Sequence, residues 1–116
     1  MKKALKVTPD FQTEVLDIEQ DFLTVMQGAV EGLIQPIGYS ETLTMWVNEE
    51  FYSLKDPRPN FIATTFYSIL GVDQTLLGNV VFTSGTDGDG EVLGLDEVTL
   101  SELLSVVAEA KSEVMA

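Results

Sequence analysis

Apolar residues recur at helical spacing between positions 22 and 33, and this stripe constrains the fold more than any other feature of the chain. Such spacing gives a helix one apolar face, which a globular domain buries against a second layer. Asp21 is placed to cap the first turn, and Gly32 suits a left-handed exit. The stripe consists of Phe22, Val25, Met26, Ala29, Val30 and Leu33.

Short runs with strand character lie on both sides of this helix. Residues 5–7 and 15–18 flank a turn at Pro9 and Asp10, which predicts an N-terminal hairpin. The pattern predicts a second pair of strands, residues 33–39 and 43–47, around a Ser-Glu-Thr turn. It also predicts a largely buried strand over residues 77–83.

Two further helices follow from their end signals. Asn60 is placed to cap a helix over 61–70, and Gly71 suits its exit. Thr99 and Glu102 have the spacing of a capping box for a last helix over 99–114. The order ββαββαβα predicts one α+β domain over residues 1–116, with a five-stranded, mostly antiparallel or mixed sheet and three helices.

The chain contains neither cysteine nor histidine. Disulfides, thiolate metal sites and a cysteine nucleophile are therefore excluded, and so are the commonest general base and zinc ligand. No motif pairs a serine, threonine or tyrosine with an activating base. We therefore predict no catalytic residue, no cofactor and no metal, and an enzyme ranks third among the possible functions.

Acidic residues outnumber basic ones by nineteen to six, which gives a net charge of −13. Such a charge repels nucleic-acid backbones and anionic membranes, so we predict no direct nucleic-acid binding and no membrane association. The same charge also serves solubility without any partner. No apolar stretch approaches the roughly 20 residues that span a bilayer, and we expect a cytoplasmic protein.

Acidic residues gather in two places. Asp87, Asp89 and Glu91 resemble the start of an EF-hand loop, but Val92 and Val98 stand at its sixth and twelfth positions, so we predict a turn without a tight ion site. On the last helix the carboxylates lie on a solvated side and could extend a band from that loop: Glu102, Glu109 and Glu113.

Two other side chains have both a structural and a functional interpretation. Trp46 lies on the nominally polar side of its strand, where it serves as a stacking platform or interface anchor, or packs beneath a helix. Asn60 is either an ordinary cap or a ligand contact at a helix N-terminus. Position alone favours the structural interpretation for both.

Three short motifs carry a family resemblance: Val-Asn-Glu-Glu at 47–50, Pro-Asn-Phe-Ile-Ala-Thr at 59–64 and Gly-Asn-Val-Val-Phe at 78–82, with a Gly-Glu turn at 90–91. Over residues 5–95 the chain resembles the DUF3846 family, small domains of unknown function of phages, plasmids and other mobile elements, with the helix over 99–114 as an extension. The resemblance implies an accessory role without catalytic residues. It makes five positions the first candidates for a binding site: Asn48, Glu49, Asn60, Thr64 and Asn79.

These observations together predict a non-enzymatic accessory domain that binds a protein or a small molecule. The alternative is an acidic decoy that mimics DNA and occupies the nucleic-acid site of a host or defence protein. The two differ in where binding occurs, at the asparagines or along the acidic band. The sequence does not predict an oligomeric state.

Overall fold

The computed structural model describes residues 1–114, apart from the Tyr39 side chain, and its elements follow the predicted order ββαββαβα. A short 3-10 turn, Phe51–Ser53, lies between β4 and α2. The elements are β1 (Lys3–Val7), β2 (Thr13–Asp17), α1 (Phe22–Val30), β3 (Ile34–Ser40), β4 (Leu43–Asn48), α2 (Phe61–Ile69), β5 (Val80–Thr83) and α3 (Glu97–Val114).

The five strands form one antiparallel sheet in the order β2-β1-β5-β4-β3, which confirms the predicted α+β class. Each hairpin, β1–β2 and β3–β4, pairs with β5 through one of its strands. Val80, Val81 and Phe82 of β5 have no exposed surface. The shortest strand therefore lies at the centre and is covered on both faces.

Alternation along the strands divides the core into two clusters. Val80 and Phe82 belong to a larger cluster that α2 and α3 cover, whereas Val81 belongs to a smaller cluster that α1 covers. Successive side chains of a strand point to opposite faces, so this division follows from the two-residue period. The helices lie on both sides of the sheet, α1 on one and α2 with α3 on the other.

The first hairpin turns at the predicted Pro9 and Asp10, and the turn ends on an unexpected residue. Phe11 has a left-handed backbone with φ of 62°, although it is not a glycine. Its N–H donates to the Thr8 carbonyl at 3.0 Å, and its side chain is buried in the larger cluster. The ring lies 6.1 Å from the ring of Phe61. Burial of a large apolar side chain offsets the roughly 1–2 kcal/mol that the left-handed conformation costs.

α1 begins directly after Asp21, as predicted, but the Asp21 side chain makes no cap hydrogen bond. The predicted exit is wrong, because Glu31 rather than Gly32 takes the left-handed conformation, with φ of 64°. Gly32 has another role. A Cβ atom at this position would lie 2.5 Å from Nδ2 of Asn48, so the residue is small because a buried amide approaches it closely.

The end signals of α2 are confirmed. The side chain of Asn60 accepts a hydrogen bond from the backbone N–H of Ala63, and Gly71 follows the helix with φ of 89°. An N-cap side chain is expected to bind the N–H of the second or third helical residue, and Ala63 is the third.

The predicted start of α3 is wrong by two residues. The helix begins at Glu97, and the carboxylate of Asp96 accepts the backbone N–H of Thr99 at 2.7 Å. Thr99 is therefore bound by the cap and is not the cap itself, and Glu102 lies in the second turn. The N–H and hydroxyl groups of Thr99 stabilise the ionised carboxylate and lower the pKa of Asp96. Among residues 1–114, no helix is long and apolar enough to cross a bilayer.

Replacing Asp96 by Ala should lower the urea midpoint of unfolding at pH 7, because α3 loses the acceptor for an N-terminal N–H. Since the pKa of Asp96 is lowered by folding, its contribution is complete above the unfolded pKa of about 3.9 and is lost as the pH falls through the folded value. The midpoint difference between wild type and Asp96→Ala should therefore shrink in acid. Glu102→Ala is the control and should leave the midpoint unchanged, whereas equal losses for Asp96→Ala at neutral and acid pH would contradict this assignment.

Candidate functional site

Asn60 is the most deeply buried of the predicted site residues, with no exposed surface. Its Nδ2 donates to the carbonyls of Val7 at 3.1 Å and Gly78 at 2.8 Å, and its Oδ1 accepts the N–H of Ala63 at 3.0 Å. Both amide protons and the oxygen are in use. The side chain therefore joins β1, α2 and the segment before β5, and it reaches a ligand only if these bonds break.

Thr64 and Asn79 also bind the backbone of the domain. The hydroxyl oxygen of Thr64 accepts the N–H of Leu76 at 3.0 Å, and Nδ2 of Asn79 donates to the carbonyl of Ala29 at 3.1 Å. Thr64 lies on α2, whereas Asn79 contacts the last turn of α1, on the opposite side of the sheet. The structure therefore does not bring Asn60, Thr64 and Asn79 together in one site.

Asn48 joins the end of β4 to the end of α1. It is 5% exposed, its Nδ2 donates to the carbonyl of Val30 at 3.0 Å, and its Oδ1 accepts the N–H of Glu50 at 2.7 Å. Glu49, the next residue, has an exposed side chain, while its N–H donates to the carbonyl of Leu33 at 2.8 Å. Of Asn48 and Glu49, only Glu49 therefore presents its side chain to solvent.

Trp46 packs under α1. Its indole Nε1 donates to the hydroxyl of Thr83 at 2.8 Å, and its ring meets the ring of Phe22 edge-on, with centroids 5.4 Å apart. The side chain is part of the smaller core cluster. These contacts agree with the structural interpretation of Trp46, in which the aromatic ring fills the space between a strand and a helix.

A cleft of about 440 Å³ lies beside Asn48, between the end of α1 and the segment after β4. The amide of Asn48 is the buried polar group of this cleft, and both its ends are already hydrogen-bonded to the protein. The nitrogen and the oxygen of the Asn48 amide are therefore both engaged within the domain, and the charged side chains that line the cleft are exposed. Its lining consists of Glu31, Gly32, Leu33, Asn48, Glu50, Ser53, Leu54, Lys55 and Asp56.

The acidic loop after β5 is closed by its own carboxylate. Oδ1 of Asp87 accepts the N–H groups of Asp89 at 2.8 Å and Glu91 at 3.0 Å, and Thr86 pairs with Val92 across the base of the loop. This oxygen therefore stabilises the turn. Within residues 1–114, no three carboxylates are grouped so that they could hold a metal ion.

The solvent side of α3 carries a row of carboxylates. Glu102, Glu109 and Glu113 are exposed, and at about 100° per residue they fall within roughly 40° of one another over about 16 Å of helix. Lys111 lies about 180° from Glu102, on the other side of the helix. The row is thus free of interleaved basic residues on its own helix.

Two exposed valines flank this row, and sequence reasoning missed them. Val98 is 67% exposed and Val106 is 44% exposed, and they border a shallow depression of about 640 Å³ along α3. Both valines lie outside the apolar stripe formed by Leu100, Leu103 and Val107, and this position in the sequence could have predicted that they are exposed. We define the α3 solvent face as Val98, Ser101, Glu102, Ser105, Val106, Glu109 and Glu113.

Several basic groups are engaged with carboxylates elsewhere. Arg58 binds Asp10 through Nη1 at 2.6 Å and Asp56 through Nε at 2.9 Å, and these carboxylates raise the pKa of its guanidinium. Lys6 pairs with Glu14 at 3.9 Å. Lys3 pairs with Glu97 and so connects β1 to the first residue of α3. Glu102, Glu109 and Glu113 on α3 take part in none of these ion pairs.

Comparison with known proteins identifies a family. A family model described as a domain of unknown function, DUF3846, matches residues 1–107, from the first hairpin into α3. No curated protein and no solved structure matched the chain.

Replacing Asn60 by Ala should destabilise the domain by about 3 kcal/mol, because it removes a helix cap and leaves two buried carbonyls without donors. Asn79→Ala removes one half-buried hydrogen bond and should cost about 1 kcal/mol. Urea unfolding of both variants measures the difference. Similar small losses for the two would mean that the Asn60 bonds are not the junction described above.

Gly32→Ala should destabilise the domain, since the added methyl group displaces Asn48 and weakens its bond to Val30. Gly28→Ala is a matched control, because it lies within α1 and a Cβ there would meet nothing within 4 Å. That control should stabilise the domain by about 1 kcal/mol through helix propensity. Thermal unfolding of the pair separates crowding from backbone effects, and equal shifts of the same sign would contradict the crowding.

Proposed function

Because the chain belongs to the DUF3846 family, a domain of unknown function, we propose its role from its surface: it is a non-enzymatic binding domain that holds a basic protein partner on the α3 solvent face. The observation that carries this proposal is the row of Glu102, Glu109 and Glu113, with Lys111 on the opposite side of the helix. The family resemblance supports an accessory role in a phage or other mobile element. The absence of cysteine suits a cytoplasmic setting.

Two features support a role without catalysis. The chain lacks the imidazole and thiol groups that most often act as general base or nucleophile. In addition, no motif in the sequence pairs a serine, threonine or tyrosine with an activating base.

The placement of charge favours the α3 solvent face over the asparagines. Asn48 and Asn60 are buried and hydrogen-bonded within the domain, and Asn79 uses its amide to hold the end of α1, so these side chains serve the fold. The α3 carboxylates are exposed, and their field attracts a basic surface. Exposed charges are screened beyond about 8 Å at physiological ionic strength, so binding should weaken as salt is added.

A second candidate function is the decoy, in which the partner surface is a nucleic-acid site. The same row of carboxylates favours it. The longest extent of the molecule is 40 Å, and duplex DNA of that length carries roughly 23 charges, at one per about 1.7 Å. The net charge of −13 is just over half of that number. A partial mimic therefore has to concentrate its charge on one face.

Changing Glu102, Glu109 and Glu113 together to Gln should abolish capture of a basic partner from host lysate without lowering the thermal midpoint. The matched control changes Glu31, Glu41 and Glu50 to Gln, which alters the net charge equally at exposed positions outside α3, and it should retain the partner. Capture lost equally in both would mean that net charge alone acts. Capture lost instead on Thr64→Ala would place the site at α2 and not on the α3 solvent face.

Competition distinguishes the two functions. Duplex DNA added to the captured complex should release the domain if the partner surface is a nucleic-acid site. If the complex is retained in the presence of DNA, the decoy function is excluded and the function as a protein-binding domain remains.

A further inference from the structure

We infer that the α3 solvent face takes a basic amphipathic helix of the partner, laid along α3, with its apolar residues on Val98 and Val106 and its cationic residues toward the glutamates. This inference rests on the proposed function and specifies the chemistry of the partner. The proposed function alone requires only charge attraction between the domain and its partner. The inference adds apolar contacts and a helical partner segment.

The apolar part of the surface has helical spacing. Val98 and Val106 are eight residues apart, which is about two turns or 12 Å along α3. Val98 is 67% exposed and Val106 is 44% exposed, so a partner can still bury much of both side chains. A helix that lies nearly parallel or antiparallel to α3 repeats its apolar residues over the same two turns.

The residues between the valines allow close approach. Ser101 and Ser105 are exposed, one turn apart, and line the same depression as the valines. Packed helices lie about 8–10 Å apart, and the shorter distances need small side chains at the contact. The two serines therefore leave room for a partner helix on their side of the depression, which Glu97 and Glu102 also line.

Charge selects the occupant. Glu102 lies between the valines in sequence, and Glu109 and Glu113 continue the row toward the end of α3. A second copy of this chain would bring the same carboxylates against themselves, and both molecules carry a charge of −13. A helix rich in lysine or arginine replaces that repulsion with attraction. Charge complementarity thus favours a basic helix over self-association.

The test uses synthetic peptides as probes, since they separate helical pattern from charge. One peptide consists of lysine and leucine with the leucines at helical spacing, and the other has the same composition in scrambled order. Calorimetry at physiological ionic strength should give at least tenfold tighter binding for the patterned peptide, and circular dichroism should show that it gains helix on binding. Equal affinities, or binding of neither peptide, would overturn the inference.

Variants of the domain complete the test. Val98→Ser with Val106→Ser should weaken the patterned peptide by about tenfold, from lost apolar burial, and leave the scrambled one unchanged. Val15→Ser is the matched control, because Val15 is 40% exposed on β2 and does not belong to the α3 solvent face. If the triple Gln variant loses both peptides while the valine variant loses neither, the proposed function stands and the helical partner is wrong. Self-association that the valine changes abolish would assign the face to a second copy instead.

Discussion

The amide group of Asn60 binds the backbone of three separate parts of the chain. Its partners belong to the end of β1, to the first turn of α2 and to the segment that leads into β5. These parts lie far apart in sequence, and the apolar contacts between them are not directional. A buried amide with all its bonds made supplies that direction, since any other arrangement leaves polar groups unpaired in the core. The position of α2 over the larger core cluster depends on this junction.

The motifs that carry the family resemblance therefore acquire a physical meaning. Each of the three contains one of the asparagines that bind backbone carbonyls: Asn48, Asn60 and Asn79. Two of these bonds, from Asn48 and Asn79, reach the last turn of α1 from neighbouring strands. The motifs thus describe how helices are attached to the sheet.

Periodicity and turn chemistry predicted the order of elements, a five-stranded sheet and both ends of α2, because these depend on neighbours in sequence, while the choice between an antiparallel and a mixed sheet stayed open. The start of α3 was missed, since Asp96 and Thr99 are both good caps and only the folded chain shows which side chain accepts a backbone N–H of the first turn. The left-handed Phe11 depends on a contact with Phe61, fifty residues away, which no local pattern contains. The asparagines were ambiguous for a related reason: the same amide chemistry serves a cap, a carbonyl and a ligand, and the acceptor on Val7 lies 53 residues from Asn60.

The central place of β5 has a consequence for how the domain forms. The two hairpins, β1–β2 and β3–β4, touch the rest of the sheet through β5, and this strand begins only at Val80. During synthesis both hairpins leave the ribosome before the strand that joins them, and an isolated two-stranded hairpin is at best marginally stable in water. Their inner edges and apolar faces stay open for that interval. Residues 1–79 carry eleven acidic against five basic residues, so the part of the chain that emerges first already has a net negative charge, which acts against contact between neighbouring nascent chains while those edges are open.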